Sequence, residues 1–375
     1  MQTDEKQSIT KRPRNLALDA LRGLIVVLMA VDHANYFVAQ KHPPGEHWGG
    51  PFPAYQEALS FITRVVTHPV APGFSFLMGI GMVLFAESRR KRGWSEWAIV
   101  RHFLIRGLLL IALQLTVVNL AWQTGPIPFP DIYLGVLVAL GGGMILGSLF
   151  LRLRPIYLGL MALALLVGVE LTHPDPSQWG QIFDQPLGLI FGYSGGDATF
   201  WSNYPILAWL ELVIFGMAFG KWMLADSRKA FKWTLILGIV FLVAFYFLRT
   251  TDGFGNIRPR AGESWIDFLN VVKYPPAMTF TLLTMGFNLI VLGIFARTRE
   301  RYLKPLAVFG QVPMFFYILH LYLYGRLGAW FEPTGTSIAA MYPYWLLGLL
   351  ALFPLCRWYG DFKRRQPSRS LFRFL

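Results

Sequence analysis

The chain reads as long apolar runs separated by short polar joints. About ten runs come near the roughly 20 mostly apolar residues that a membrane-spanning helix requires. They fall near residues 16–38, 58–87, 103–122, 131–151, 155–172, 204–224, 232–249, 277–296, 305–328 and 342–360. The run at 58–87 is polar at its start, and the run at 155–172 is short. The pattern predicts an all-α polytopic membrane protein, with about ten transmembrane helices in one bundle.

Lysine and arginine orient the runs, because positive charge collects on cytoplasmic joints. Basic residues cluster before the first run (Lys6, Lys11, Arg12, Arg14) and between residues 89 and 101. They recur at 152–154, 221–232 and 297–304, and again in the tail after 360. The joints 123–131 and 173–203 contain neither residue. Ten spans with both termini cytoplasmic satisfy this alternation, whereas eight or nine break it unless two runs merge. One joint on the outer side disagrees. Residues 249–276 carry Arg249, Arg258, Arg260 and Lys273 beside Asp252, Glu263 and Asp267. These charges read either as a solvated loop with paired charges or as a holder for an acidic or sugar-like ligand. The outer joints are also rich in Gly, Pro and Trp, and the stretch 173–203 is long for a plain connection. Such loops suit carbohydrate, although Trp also belongs at membrane interfaces for its own sake.

Composition narrows the class. The chain of 375 residues is 15% charged and 54% hydrophobic, well away from the roughly one quarter charged residues of soluble domains. The net charge of +13 does not imply nucleic acid, since the basic residues sit in the joints between apolar runs. The single Cys356 allows neither a disulfide nor a cysteine zinc site. The polar, basic first sixteen residues lack a following small-residue cleavage site, so no cleavable signal peptide is expected.

Ionisable residues inside the runs are the candidate chemistry, because hydrocarbon rejects them unless they serve a function. The first run holds Asp19, Arg22, Asp32 and His33. On a helix, Asp19 and His33 are about 21 Å apart. Asp19 and Arg22 share a face at i, i+3 near the cytoplasmic end, and form either a structural ion pair or an anion site. Asp32 and His33 lie toward the outer end. His68 in the second run and His320 in the ninth fall at a similar depth. Histidine suits proton transfer near neutral pH when a carboxylate orients it, and it also serves as a nucleophile. A metal site is disfavoured, because no HExxH spacing occurs. There is no G-x-S-x-G elbow and no Walker loop. Gly141–Gly143 lie within an apolar run and read as close helix packing.

Four blocks in order, RNLALDALRGLIVVLMAVDH, THPVAPGFSFLMG, FLNVVKYPPAMTFTLLTMG and FGQVPMFFYILHLYLY, resemble the bacterial heparan-α-glucosaminide N-acetyltransferase-like family of transmembrane acyltransferases. The resemblance implies a cytosolic acetyl-CoA co-substrate and no permanently bound cofactor. It also implies an amino or hydroxyl acceptor, carried by a sugar or glycolipid, at the outer face of the cell inner membrane. Membrane lipid is a further expected partner, nucleic acid is not, and a homodimer is left open. The implied layout is a basic tail (1–15), a transmembrane acyltransferase domain (16–360) and a second basic tail (361–375). The expected catalytic residues are His68 or His33, as general base or transient acyl carrier, with Asp32 orienting the imidazole. Arg22, Asp19 and Arg106 are expected to hold the CoA moiety, and Lys273, Tyr274 and His320 the acceptor. The lysosomal relative departs from this pattern. It has Asn at the position of His33 and Asp at that of His68, and its catalytic histidine lies between the first two helices, where this chain has His42 and His47. Many bacterial relatives carry Cys where this chain has Val70, which argues against a thiol nucleophile there. The competing class is a proton-coupled transporter of a small solute or lipid-linked sugar, which would show inverted repeats; the two halves share no obvious motif. A non-catalytic membrane scaffold would leave the histidines unexplained.

Overall fold

The structure, a computed structural model, describes residues 15–367 except 44, 56 and 126, together with residue 370. The predicted basic tail 1–15 thus lies outside the described residues apart from Asn15, as do Arg369 and Arg373 of the second tail. Asn15 starts the fold: its side-chain oxygen accepts hydrogen bonds from the amides of Ala17 and Leu18 and caps helix α1, Leu16–Ala34. A single π-helical turn, Asn35–Ala39, follows directly after Ala34 and so begins two residues beyond His33. Such wide turns re-aim side chains and recur at functional sites.

The chain continues through α2 (Ala58–Val65), α3 (Val70–Arg90), α4 (Glu96–Leu113) and α5 (Asn119–Gln123). Strand β1 (Ile132–Leu134) precedes α6 (Val136–Ser148) and α7 (Pro155–Thr172). The long joint 173–203 is not plain loop. It holds α8 (Pro186–Phe191) and strands β2 (Gly195–Gly196) and β3 (Phe200–Ser202). β3 pairs parallel to β1 and antiparallel to β2, giving a three-stranded sheet. Then come α9 (Ile206–Ala225), α10 (Ser227–Thr251), α11 (Trp265–Leu269), α12 (Met278–Phe295), α13 (Glu300–Gly310), α14 (Pro313–Phe331) and α15 (Ile338–Arg365).

This is the architecture of a multi-pass membrane protein. Among the described residues, seven segments are long and apolar enough to cross a membrane, or eight if α13 and α14, bent by 67°, count together. Each of the ten predicted runs contains helix, but three fall short when single helices are taken alone: those of α1 and α6, and that of α13 and α14, which qualifies only as a bent pair. Helix α1 carries the charges of Asp19, Arg22 and Asp32, and α6 has only 13 residues, because β1 takes the start of its run. The last helix runs to Arg365, beyond the expected domain edge at 360.

Burial sorts the helices. The most apolar windows of α9 and of α2–α3 are 72% and 67% buried, whereas those of α7 and α10 are only 17% buried. The outward faces of α7 and α10 remain apolar, with Leu160, Leu163, Ile239 and Val243 exposed, as lipid contact requires. Helix α1 lies inside the bundle, which is how its charges escape hydrocarbon. Its Gly23 lets the backbone of α13 approach so closely that a Cβ there would come 1.9 Å from the Leu306 carbonyl oxygen. Gly107 and Gly141 do the same for α4 and α6. At one end of the bundle, the basic joints gather, with Arg90, Arg152 and Lys221 all around Glu96. At the opposite end, the long joints interlock: the Trp48 amide donates to the Tyr274 carbonyl, and that of Asp131 to the Ala198 carbonyl.

Candidate active site

The site forms where the far end of α1 meets the interlocked joints. Helix α2 sends Arg64 into the protein with no exposed surface. Its guanidinium grips Glu46 through two nitrogens, Nε at 2.8 Å and Nη2 at 2.6 Å, and reaches Asp32 through Nη1 at 2.7 Å. The hydroxyl of Thr67 also donates to Asp32, at 3.0 Å. Two carboxylates therefore flank one buried cation. Burial alone would raise the pKa of Glu46, but Arg64 and His68 outweigh it and hold the carboxyl well below its ordinary value.

The backbone around Glu46 docks a distant block. Its carbonyl accepts the amides of Lys273 and Tyr274, which sets the KYPP block against the first joint. Arg258 pins the same joint by donating to the carbonyls of Gly50 and His47, with its guanidinium 3.6 Å from the centre of the Phe52 ring. Arg249 is caged by the carbonyls of Asp267, Phe268 and Asn270. Of the four cations in this joint, only Lys273 lines the cavity described next; Arg249, Arg258 and Arg260 hold loop structure.

A cavity of about 460 Å³ opens over this cluster. Asp32, His33, His42, His47, Lys273 and Tyr274 line it, among many aromatic rings. A second cavity of about 370 Å³ lies toward the basic end, with Arg22, Arg106 and Lys363 on otherwise mostly apolar walls. Phe74, Val136 and Tyr317 line both, so the two cavities meet at these side chains.

Hydrogen-bond partners distinguish the histidines, because a neutral imidazole has one donor and one acceptor nitrogen. His42 donates Nδ1–H to the Pro43 carbonyl, and its Nε2 accepts from Arg64 at 2.9 Å, so both nitrogens are engaged. His68 is buried behind Glu46, with Nε2 3.3 Å from that carboxylate, and does not line the cavity. The Ser194 hydroxyl donates to the Tyr274 carbonyl, so its oxygen is free to accept Nδ1–H from His47 at 3.2 Å. The Nε2 of His47 then carries no proton. Burial pushes the pKa of His47 down from 6.5 to about 4; Glu46 opposes the shift, and Arg64, Arg258 and Lys273 add to it. His33 bonds through Nδ1 to Nε2 of His320 at 2.6 Å, and the described residues offer its Nε2 no hydrogen bond.

The structure brings some predicted residues together and separates others. Asp19 and Arg22 pair at 3.2 Å, and Arg22 and Arg106 share the second cavity. Lys273 and Tyr274 line the first cavity. His320 is fully buried behind His33, outside the wall of either cavity. Asp32 does not orient His33 as expected from their adjacency. Neighbours on a helix do not face each other, and Asp32 turns to Arg64 while His33 turns to α14. Sequence reasoning missed Glu46, Arg64 and Ser194. Arg64 carried a usable signal, a charge inside an apolar run four residues before His68.

Residues 14–248, more than half of the chain, match the family model described as heparan-alpha-glucosaminide N-acetyltransferase, catalytic. The chain belongs to this family. It is also similar to the heparan-alpha-glucosaminide N-acetyltransferases of Homo sapiens and Mus musculus. The human protein is 28% identical over 130 residues, covering 34% of this chain and 18% of that protein. The mouse protein is 29% identical over 141 residues, covering 37% and 19%. The chain thus matches less than a fifth of the length of either relative. The heparan-alpha-glucosaminide N-acetyltransferase catalytic family match includes Asp32, His33, His42, Glu46, His47 and Arg64. It stops before Lys273, Tyr274 and His320, which only the fold delivers to the same place.

Proposed function

We propose that the protein is a ten-span acetyltransferase of the cell inner membrane, with both termini cytoplasmic. It takes an acetyl group from acetyl-CoA at the basic end and passes it to an amine or hydroxyl of a sugar-containing acceptor at the opposite face. The observation that carries this reading is the pair of cavities meeting at Phe74, Val136 and Tyr317, with His33 on the wall of one of them and its Nε2 given no hydrogen bond by the described residues. Arg22, Arg106 and Lys363 suit the phosphates of CoA, and the apolar walls beside them suit its pantetheine arm. The aromatic lining and Lys273 of the first cavity suit a polar ring with hydroxyls.

In the proposed reaction, Nε2 of His33 takes the proton from the acceptor as its nitrogen or oxygen attacks the thioester carbonyl. The tetrahedral intermediate collapses, the C–S bond breaks, and the imidazolium returns the proton to the leaving thiolate. The products are acetylated acceptor and free CoA thiol. His33, close to the junction of the two cavities, is the base in this reading. His47 offers a second unprotonated nitrogen on the acceptor side. His68, packed behind Glu46, holds the ion network.

The test uses purified protein in lipid nanodiscs with acetyl-CoA and a panel of amino sugars. Release of CoA thiol is followed with a chromogenic thiol reagent; Cys356 is fully buried and contributes little background. Acceptor-dependent thiol release supports the enzyme. Absence of both acetyl-CoA binding and acetyl transfer, with proton-coupled solute uptake in liposomes, would overturn it in favour of a transporter.

A further inference from the structure

We propose that His320 is a positioning residue that locks His33 in the Nδ1–H tautomer and so presents its Nε2 lone pair to the cavity. The inference extends the base role given to His33 and rests on that reading for its catalytic consequence, though not for the tautomer itself. It starts from a group whose role is settled: the carbonyl of Phe316 can only accept. Nδ1 of His320 lies 2.9 Å from that oxygen, four residues back on α14, so Nδ1 carries the proton. A neutral ring has one proton to place, so Nε2 of His320 is an acceptor. That nitrogen is 2.6 Å from Nδ1 of His33, which must then be the donor. The proton of His33 is thereby assigned to Nδ1, and Nε2 is left with its lone pair.

The packing enforces this order. His320 has no exposed surface, and the Phe316 ring stacks on it with centroids 5.1 Å apart. With His320 fully buried, solvent does not reach its side of the contact to offer His33 another partner there. Trp122 meets the His33 ring edge-on at 5.1 Å and restricts its rotation. Asp32, the neighbour that sequence reasoning assigned to this task, is held by Arg64 and Thr67 instead. The pair is long-range, 287 residues apart, and His320 lies outside the stretch that matches the family model.

The experiment reads tautomer and activity separately. The full chain, labelled with 15N-histidine, is placed in nanodiscs, and the His33 signal is assigned as the one of seven histidines lost in His33→Asn. The expected wild-type signal has a protonated Nδ1 and an unprotonated Nε2. His320→Leu removes the acceptor; His33 should then lose its single tautomer, and kcat should fall on the order of 10² to 10⁴-fold with KM for acetyl-CoA unchanged. His320→Gln restores an acceptor through its amide oxygen and should recover most of both. A wild-type His33 protonated on Nε2 would overturn the proposal, as would an unchanged His33 tautomer in His320→Leu. If His320→Leu yields no folded protein, the wild-type and His320→Gln spectra still decide. A correct tautomer in a protein that transfers no acetyl group would leave the proposal standing and overturn the proposed function instead.

Discussion

Two adjacent residues on α1 anchor two polar clusters built on opposite terms. Asp32 joins a network in which the buried Arg64 has a carboxylate on either side. His33 joins a pair whose inner hydrogen bonds are complete, while its ring lines a cavity and its second nitrogen has no hydrogen bond among the described residues. The first cluster is paired within itself and holds α1, α2 and the first joint together. The second keeps one acceptor unspent. A charge inside a membrane domain is therefore a weak pointer to chemistry on its own. An acceptor left open toward a cavity, and fixed from behind, is a stronger one.

The sharpest way to break this contrast is to remove the cation from the first cluster. Arg64→Ala leaves Asp32 and Glu46 facing each other in a buried space, and loss of one partner from such a network costs about 3–5 kcal/mol. We expect a large drop in the melting temperature in detergent and little recoverable folded protein. Unchanged melting would refute the structural role of the network. His33→Ala should do the reverse, lowering kcat about 10² to 10⁴-fold while insertion and melting temperature stay near wild type. If His33→Ala kept full activity and His68→Ala lost it, the two histidines would exchange roles.

A smaller effect is expected at the second cavity. Arg22→Gln and Arg106→Gln should each raise KM for acetyl-CoA by about tenfold, equivalent to roughly 1.4 kcal/mol of binding, with kcat less affected. Kinetics with truncated CoA analogues lacking the phosphates would check the assignment, since such analogues should not distinguish the variants from wild type.

The smallest effect concerns pH. His47 has a pKa of about 4 in the fold against 6.5 when unperturbed. Between these values the unfolded chain binds more protons than the folded one, so stability rises with pH. The contribution of His47 is complete above about pH 6.5 and is lost as pH falls toward 4. His47→Gln should flatten that part of a melting-temperature profile. A slope unchanged by the substitution would place the acid sensitivity elsewhere.

Much of this molecule is legible in its sequence. The ten apolar runs all contain helix, because an apolar run of that length can satisfy its backbone in lipid only by coiling on itself. Asp19 and Arg22 pair as their spacing allows, because residues three apart share a helix face. The same rule, applied to Asp32 and His33, forbids the pairing that adjacency invited. The first joint openly carries His42 and His47, but nothing in its sequence marks Glu46 as the partner of Arg64.

The sequence by itself determined the local matters: where helices run, where positive charge collects, and which neighbours on one helix meet. Tertiary structure alone decided which nitrogen of His33 and of His47 keeps its proton. That choice depends on partners 147 and 287 residues away, Ser194 for His47 and His320 for His33. The physical reason is that an imidazole is symmetric in its options until a fixed donor or acceptor is brought beside it. Only the packing of α14 against α1, and of the outer joints against each other, supplies those fixed groups.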